Sequence, residues 1–394
     1  MKSTKMNKRI SGIIVCLFLL ASMGNVQAII KESEVIQSDD EKKITDTIEN
    51  FIMSYESALD NEDINFNDID SFFSDINSSK NKELIKTVLK RKIVLSQEYP
   101  KTKLKELNKE LKFDYESITI EKNSAEVKVN VTKMFNYNIS PDVQSGEVNS
   151  YFIKLSRINE DWKISFIEGF VDKFVKEDFN GKGINPNNIK DLKKYQKDLR
   201  KNVKEFYKEL KLEAESDESI VVANRGNYDR TGAYNYAMNH ALNHNNDYES
   251  FVGQGGDCTN FTSQCLYEGG GIAQHVGGQN YTDTYWFYNK TTHDRSASWT
   301  GANEFRRYIG YSISRIDAQI SSFNGVTYSD LVQFANSNGD SYHSLIITGI
   351  VYNSSGRSDL LVCGHSPMVR NVSISNAFGA RNRVYIKILG YTED

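Results

Sequence analysis

The chain has 394 residues, is 39% hydrophobic and 25% charged, and carries a formal net charge of -4. That mild balance excludes the strongly basic profile of a nucleic-acid binder and a strongly acidic partner surface, and the length leaves room for more than one domain. A disulfide scaffold is excluded as well. Of the cysteines, Cys16 lies in an N-terminal apolar stretch, and Cys258, Cys265 and Cys363 are an odd remainder.

Lys2, Lys5, Lys8 and Arg9 precede an apolar run from Ile10 to Met23, and Val26-Gln27-Ala28 has the small-residue look of a cleavage site. Residues 1–28 therefore read as a secretory signal peptide, too short for a membrane-spanning helix. The expected location is extracytoplasmic, secreted or in the cell envelope, with no stable membrane insertion after cleavage. Residues 29–42 read as a flexible polar segment. From 43 to 180 the pattern predicts a smaller α+β domain. Ile44, Ile48, Ile52, Tyr55 and Leu59 follow a helical period, as do Leu84, Ile85, Val88, Leu89 and Ile93. The period then changes to two at Val127, Val129 and Val131, at Tyr151, Ile153 and Leu155, and at Trp162, Ile164 and Phe166. Helices followed by an antiparallel meander resemble an NTF2-like cone. Leu192, Tyr195, Leu199 and Val203 then mark an amphipathic connecting helix over 185–215. Residues 216–227 read as a linker, and 228–394 as a catalytic domain.

The most specific signal is Gly255-Gly256-Asp257-Cys258-Thr259-Asn260-Phe261-Thr262-Ser263-Gln264-Cys265-Leu266. It predicts a glycine turn that delivers Cys258 to the first turn of a helix, with Asp257 as its cap and Gly269-Gly270-Gly271 as its end. A thiol at the positive end of a helix dipole has a larger thiolate fraction, which suits a nucleophile. The candidate base is His343, where a polar turn enters the apolar stretch Ser344-Leu345-Ile346-Ile347. A second strand, Leu360 to Gly364, ends at His365. If the two strands pair as a hairpin, His365 can orient the His343 ring, as a third group does in nucleophile–base sites.

These residues resemble the putative amidase domain family. The likeness rests on Tyr228-Asp229-Arg230, on Tyr236-Ala237, on the cysteine motif, on Ser298-Trp299-Thr300, and on Ser329-Asp330-Leu331-Val332-Gln333 ahead of His343-Ser344. That family is similar to the NlpC/P60 and CHAP hydrolases, so the resemblance implies an α+β, papain-like core with a helix-borne Cys against an antiparallel sheet. It implies Cys258 as nucleophile and His343 as general base, with His365 the best match to the orienting polar residue. Two departures stand out: His240 occupies a position usually aromatic, and His343 and His365 lie further apart than in compact NlpC/P60 domains. Asp359 and Asn371 are substitutes for the third role.

The backbone amide of Cys258 is the first oxyanion donor, and Gln254 is a candidate second one. Trp286 and Trp299 are candidates to line a substrate groove, with partly buried core as the alternative. Cys265 and Cys363 read as core. His240 and His244 stand four apart, but no Glu follows the first, so no metal is expected and the two read as solvated helix histidines. No phosphate-binding loop or Gly-x-Ser-x-Gly elbow occurs, and no cofactor is expected. The resulting expectation is an exported cysteine amidase or peptidase acting on peptidoglycan or another peptide. The alternatives are a cysteine protease or transpeptidase on proteins, and an inactive papain-like binding protein.

Overall fold

The computed structural model describes residues 38–61, 66–74, 78–98, 104–214 and 227–392, the last span without 253, 255, 279, 355 and 380. The signal peptide, residues 29–37 of the segment expected to be flexible, and nearly all of the expected linker lie outside the described residues. Residues 39–42 belong to the first helix instead, because Ser38 caps it by accepting the Glu41 N–H at 3.1 Å. No described helix is long and apolar enough to cross a membrane.

Helices α1 (Asp39–Asp60), α2 (Phe66–Asp70) and α3 (Ser79–Glu98) lead into a meander of β1 (Glu106–Ile120), β2 (Ser124–Tyr137), β3 (Ser140–Ile158) and β4 (Asp161–Glu168). Ile44, Ile48, Ile52 and Tyr55 of α1 bury one stripe against Val127, Val129 and Val131 of β2. On β4 the simple alternation fails. A bulge opposite Lys154 and Leu155 shifts the register, so Ile167 is buried and Phe166 is 39% exposed. Helix α4 (Lys173–Gly181) follows, then α5 (Ile189–Ala214), whose Leu192, Tyr195, Leu199 and Val203 pack with Val88, Val94 and Leu95 of α3.

The remaining elements are α6 (Arg230–His240), α7 (Cys258–Gln264), a π-helical turn (Cys265–Gly269), α8 (Ala297–Thr300) and α9 (Ala302–Ile309). They are followed by β5 (Ile316–Ser321), β6 (Leu331–Ala335), β7 (Ser341–Asn353), β8 (Gly356–Gly364), β9 (Met368–Ser373), α10 (Ile374–Phe378) and β10 (Arg383–Tyr391). All ten strands form one antiparallel sheet in the order β1-β2-β3-β9-β8-β7-β6-β10-β5, with β4 beside β3. The chain is thus a mixed α+β protein built on a large antiparallel sheet.

The two parts share that sheet because β3 is long. Its C-terminal half pairs with β4, while Gly146, Glu147 and Val148 pair with Arg370, Val369 and Met368 of β9. A Cβ on Gly146 would stand 2.7 Å from Met134 Sδ and 3.0 Å from Leu242 Cδ1, so the close approach at this seam suits glycine. Ser145 Oγ donates to the Asn371 carbonyl at 2.8 Å across the same seam. Beyond it, one face of the sheet carries α6, α7 and the tryptophans. The other carries Phe135, Tyr137, Phe174 of α4 and Phe378 of α10.

Candidate active site

Helix α7 is buried along its whole length, and Gly256 enters it with φ of 106°, a conformation suited to glycine. Cys258 opens the helix with 4% of its surface exposed, and its Sγ lies 3.8 Å from Thr259 Oγ1. Thr259 in turn fixes α7 to the sheet through Ser344 Oγ at 2.9 Å, and Gln333 Nε2 donates to that serine at 3.0 Å.

Asp257 does something other than the expected capping. Its side chain makes no cap bond to α7. Instead Oδ1 accepts from the Phe251 N–H at 3.1 Å and from Asn260 Nδ2 at 2.8 Å, while Oδ2 lies 2.7 Å from His365 Nδ1. The opening amides of α7 are thereby left unspent by this carboxylate. His365 is buried and stacks on Phe261 of α7 at 4.2 Å between ring centroids. Its Nε2 lies 3.0 Å from the His240 carbonyl. Both partners are acceptors, so both bonds are made together only by the doubly protonated ring. Burial pushes the Asp257 carboxyl up, but hydrogen bonds from His244 and His365 outweigh it and hold the group well below the usual carboxylate range. Ser366 Oγ accepts the Asp257 N–H at 3.0 Å, which ties the end of β8 to the start of α7.

His343 lies elsewhere. Strands β7 and β8 pair antiparallel, as the hairpin expectation required, with Ile346 opposite Cys363. Side chains alternate along a strand, however. Ser344 and Ile346 face α7, so His343, Leu345 and Ile347 face the opposite side of the sheet. There the His343 ring is fully buried against Phe174, Phe334 and Phe378 at 5.0, 5.5 and 5.7 Å. The structure therefore brings His365, and not His343, to the residue next to Cys258. The two proposed substitutes are also remote. Asp359 accepts from Ser375 Oγ at 3.0 Å and from Ser373, while Asn371 belongs to the seam with Ser145.

Gln254 sits on the exposed loop before α7, its N–H donating to the Phe251 carbonyl at 3.0 Å. Trp299 is fully buried, with Nε1 donating to Asn260 Oδ1 at 2.9 Å and its ring against Trp286 at 4.8 Å. Both tryptophans are core and neither lines a groove. Cys265 and Cys363 are buried too, and burial pushes the Cys363 thiol up to about 12.

Sequence reading missed two parts of this cluster. Asp257 was legible only as a cap. His244 lies beyond the end of α6, 3.4 Å from Asp257 Oδ2 and with its ring 4.8 Å from that of His365. Among the described residues, His244, Asp257 and His365 bring ligand-type atoms within 4.8 Å of one another, so they are the group that could hold a metal ion. The 2.7 Å contact between His365 and Asp257 is itself a charge-assisted hydrogen bond, complete without an ion.

Residues 227–387 match the model of the putative amidase domain family. The match takes in α6, the Asp257-Cys258 start of α7, and both His343 and His365. A domain of this family implies an amide hydrolase. No curated protein matches the chain.

Proposed function

We propose that the protein is an exported, cysteine-dependent amide hydrolase that cleaves peptide or amide bonds of peptidoglycan. One observation carries the reading. A buried Asp257–His365 pair closes at 2.7 Å on the residue preceding a helix-opening cysteine, inside the amidase domain. A helix-borne cysteine against an antiparallel sheet is the papain-like arrangement, with His365 in the role first assigned to His343.

In this mechanism Cys258 attacks as the thiolate and His365, held by Asp257, handles the protons. The thiolate attacks the amide carbonyl carbon, and the electrons displaced onto oxygen are received by the Cys258 N–H at the start of α7. As the C–N bond breaks, His365 turns its Nε2–H from the His240 carbonyl to the departing amine and protonates it, leaving a thioester. The neutral ring then takes a proton from water, whose oxygen attacks the thioester and expels the thiolate. Asp257 touches no substrate. It is a positioning residue that keeps the Nδ1 proton and the ring orientation in place.

The substrate and the export rest on the basic-then-apolar amino terminus and on the likeness to cell-wall hydrolases. The test is mass spectrometry of purified peptidoglycan after incubation with the full-length chain beside Cys258→Ala. The full-length chain is needed because β9 of the amidase domain pairs with β3. New fragments absent from the control support the proposal, and their masses name the bond. An unchanged wall, together with amine acceptors captured by an acyl-enzyme on protein substrates, would replace it with a transpeptidase.

A further inference from the structure

On the sheet face opposite α7, a cavity of about 400 Å³ opens at the seam between the two parts of the chain. That size falls within the range of small-ligand sites, roughly 300–1,000 Å³. Its walls come from α3, the long strand β3, the region of β9 and α10, so neither part forms it alone.

The polar groups on these walls are unequally satisfied. Lys133 pairs with Glu56, Glu106 and Glu147 at 3.1–3.2 Å, and Arg91 pairs with Asp178. Lys92 is different. Among the described residues it makes no hydrogen bond or ion pair, and the ring of Tyr55 lies 5.9 Å from its Nζ. Burial alone would favour the neutral amine, but Glu147 and Glu56 reverse that and keep it charged. Asn376 of α10, which also lines the cavity, has a buried Oδ1 that accepts no hydrogen bond. The apolar side chains of Val88, Ile93, Phe135 and Phe170 line the same cavity. An ammonium that feels Glu147 and Glu56 but spends none of its N–H groups on them, an acceptor without an N–H, and apolar lining describe one kind of guest.

We propose that this seam cavity is a second binding site, separate from Cys258, for a short peptide bearing a free carboxylate, with Lys92 taking the carboxylate and Asn376 Oδ1 an amide N–H. The site also reaches the catalytic cluster through the chain itself. Pro367 lines the cavity, while the two residues before it, Ser366 and His365, hold Asp257. Occupancy therefore bears on the segment that positions His365. The binding claim does not depend on the proposed hydrolysis, because the site lies on the other face of the sheet.

The test is calorimetric titration of the full-length Cys258→Ala chain with N-acetyl-alanyl-alanine, with the same dipeptide as its C-terminal amide for comparison. The acid is expected to bind and the amide to bind at least about tenfold more weakly, as loss of one charged hydrogen bond requires. Lys92→Met should weaken the acid by a similar factor, and Lys92→Arg should restore it. Absence of acid binding at millimolar concentration, or equal binding of acid and amide, would overturn the proposal. Should Lys92→Met fail to fold, the acid–amide comparison on the unaltered pocket still decides.

Discussion

Asp257→Asn is the sharpest perturbation of the site, since it keeps the shape of the side chain and removes its charge. The asparagine Oδ1 can still accept from the Phe251 N–H and Asn260 Nδ2, at 3.1 and 2.8 Å in the parent. What is lost is the carboxylate facing His365 Nδ1, in a pair whose side chains are each 1% exposed. Removing one partner of a buried ion pair costs about 3–5 kcal/mol when the other must stay charged. The Asp257 carboxyl is held well below the usual carboxylate range, so its contribution is fully present above about pH 3.9, the ordinary aspartate value, and is lost only as pH falls below that. Urea denaturation at pH 7 should therefore show a deficit of about 3–5 kcal/mol in the variant, narrowing in strong acid. Peptidoglycan release should fall by at least about a hundredfold, because the His365 ring loses the carboxylate that holds it in place. A deficit below about 1 kcal/mol at pH 7, with hydrolysis at the parent rate, would refute this assignment.

Phe174→Ala removes a ring that is 1% exposed and packed on Phe334, His343 and Phe378, so a loss of about 3–5 kcal/mol in urea denaturation is expected. A loss below about 1 kcal/mol would mean that α4 is not part of this core. For Glu147, burial pushes its carboxyl up, but Lys133 and Lys92 reverse that and lower it to about 2. Its contribution to stability is therefore fully present above about pH 4.3, the ordinary glutamate value, and is lost as pH falls toward 2. An acid-unfolding series should show a shallower limb over that window in Glu147→Gln, and identical slopes would count against the buried pair. Residues 227–394 expressed alone should lack a cooperative thermal transition, because they lose the β3 partner of β9 and the Phe174 face. A sharp transition in that fragment would show the seam to be dispensable.

The fold was readable where one face of an element is wet. The stripe on α1 and the alternation on β2 emerged directly from polar residues on the other side. On β7 that contrast disappears. Ser341 and the run His343 to Thr348 are buried on both faces of the sheet, so the sequence carries no mark of which way His343 points. That face puts His343 against Phe174, Phe334 and Phe378, on the side of the sheet away from Cys258. The shared sheet was equally silent, since the β3–β9 pairing joins residues more than two hundred positions apart through backbone bonds that leave no local pattern. The helix-opening cysteine was legible because glycine, aspartate and apolar spacing all act locally. Asp257 was misread for the same reason, a cap being a local role and its partner His365 a distant one.

The most direct test of the Cys258–His365 account is the rate at which iodoacetamide alkylates Cys258 at pH 6, in the parent, His365→Ala and His343→Phe. Mass spectrometry of the Cys258 peptide reads each rate. The account expects rapid alkylation in the parent and in His343→Phe, and at least about a tenfold slower reaction in His365→Ala. Undiminished alkylation in His365→Ala, with the loss appearing in His343→Phe instead, would contradict it.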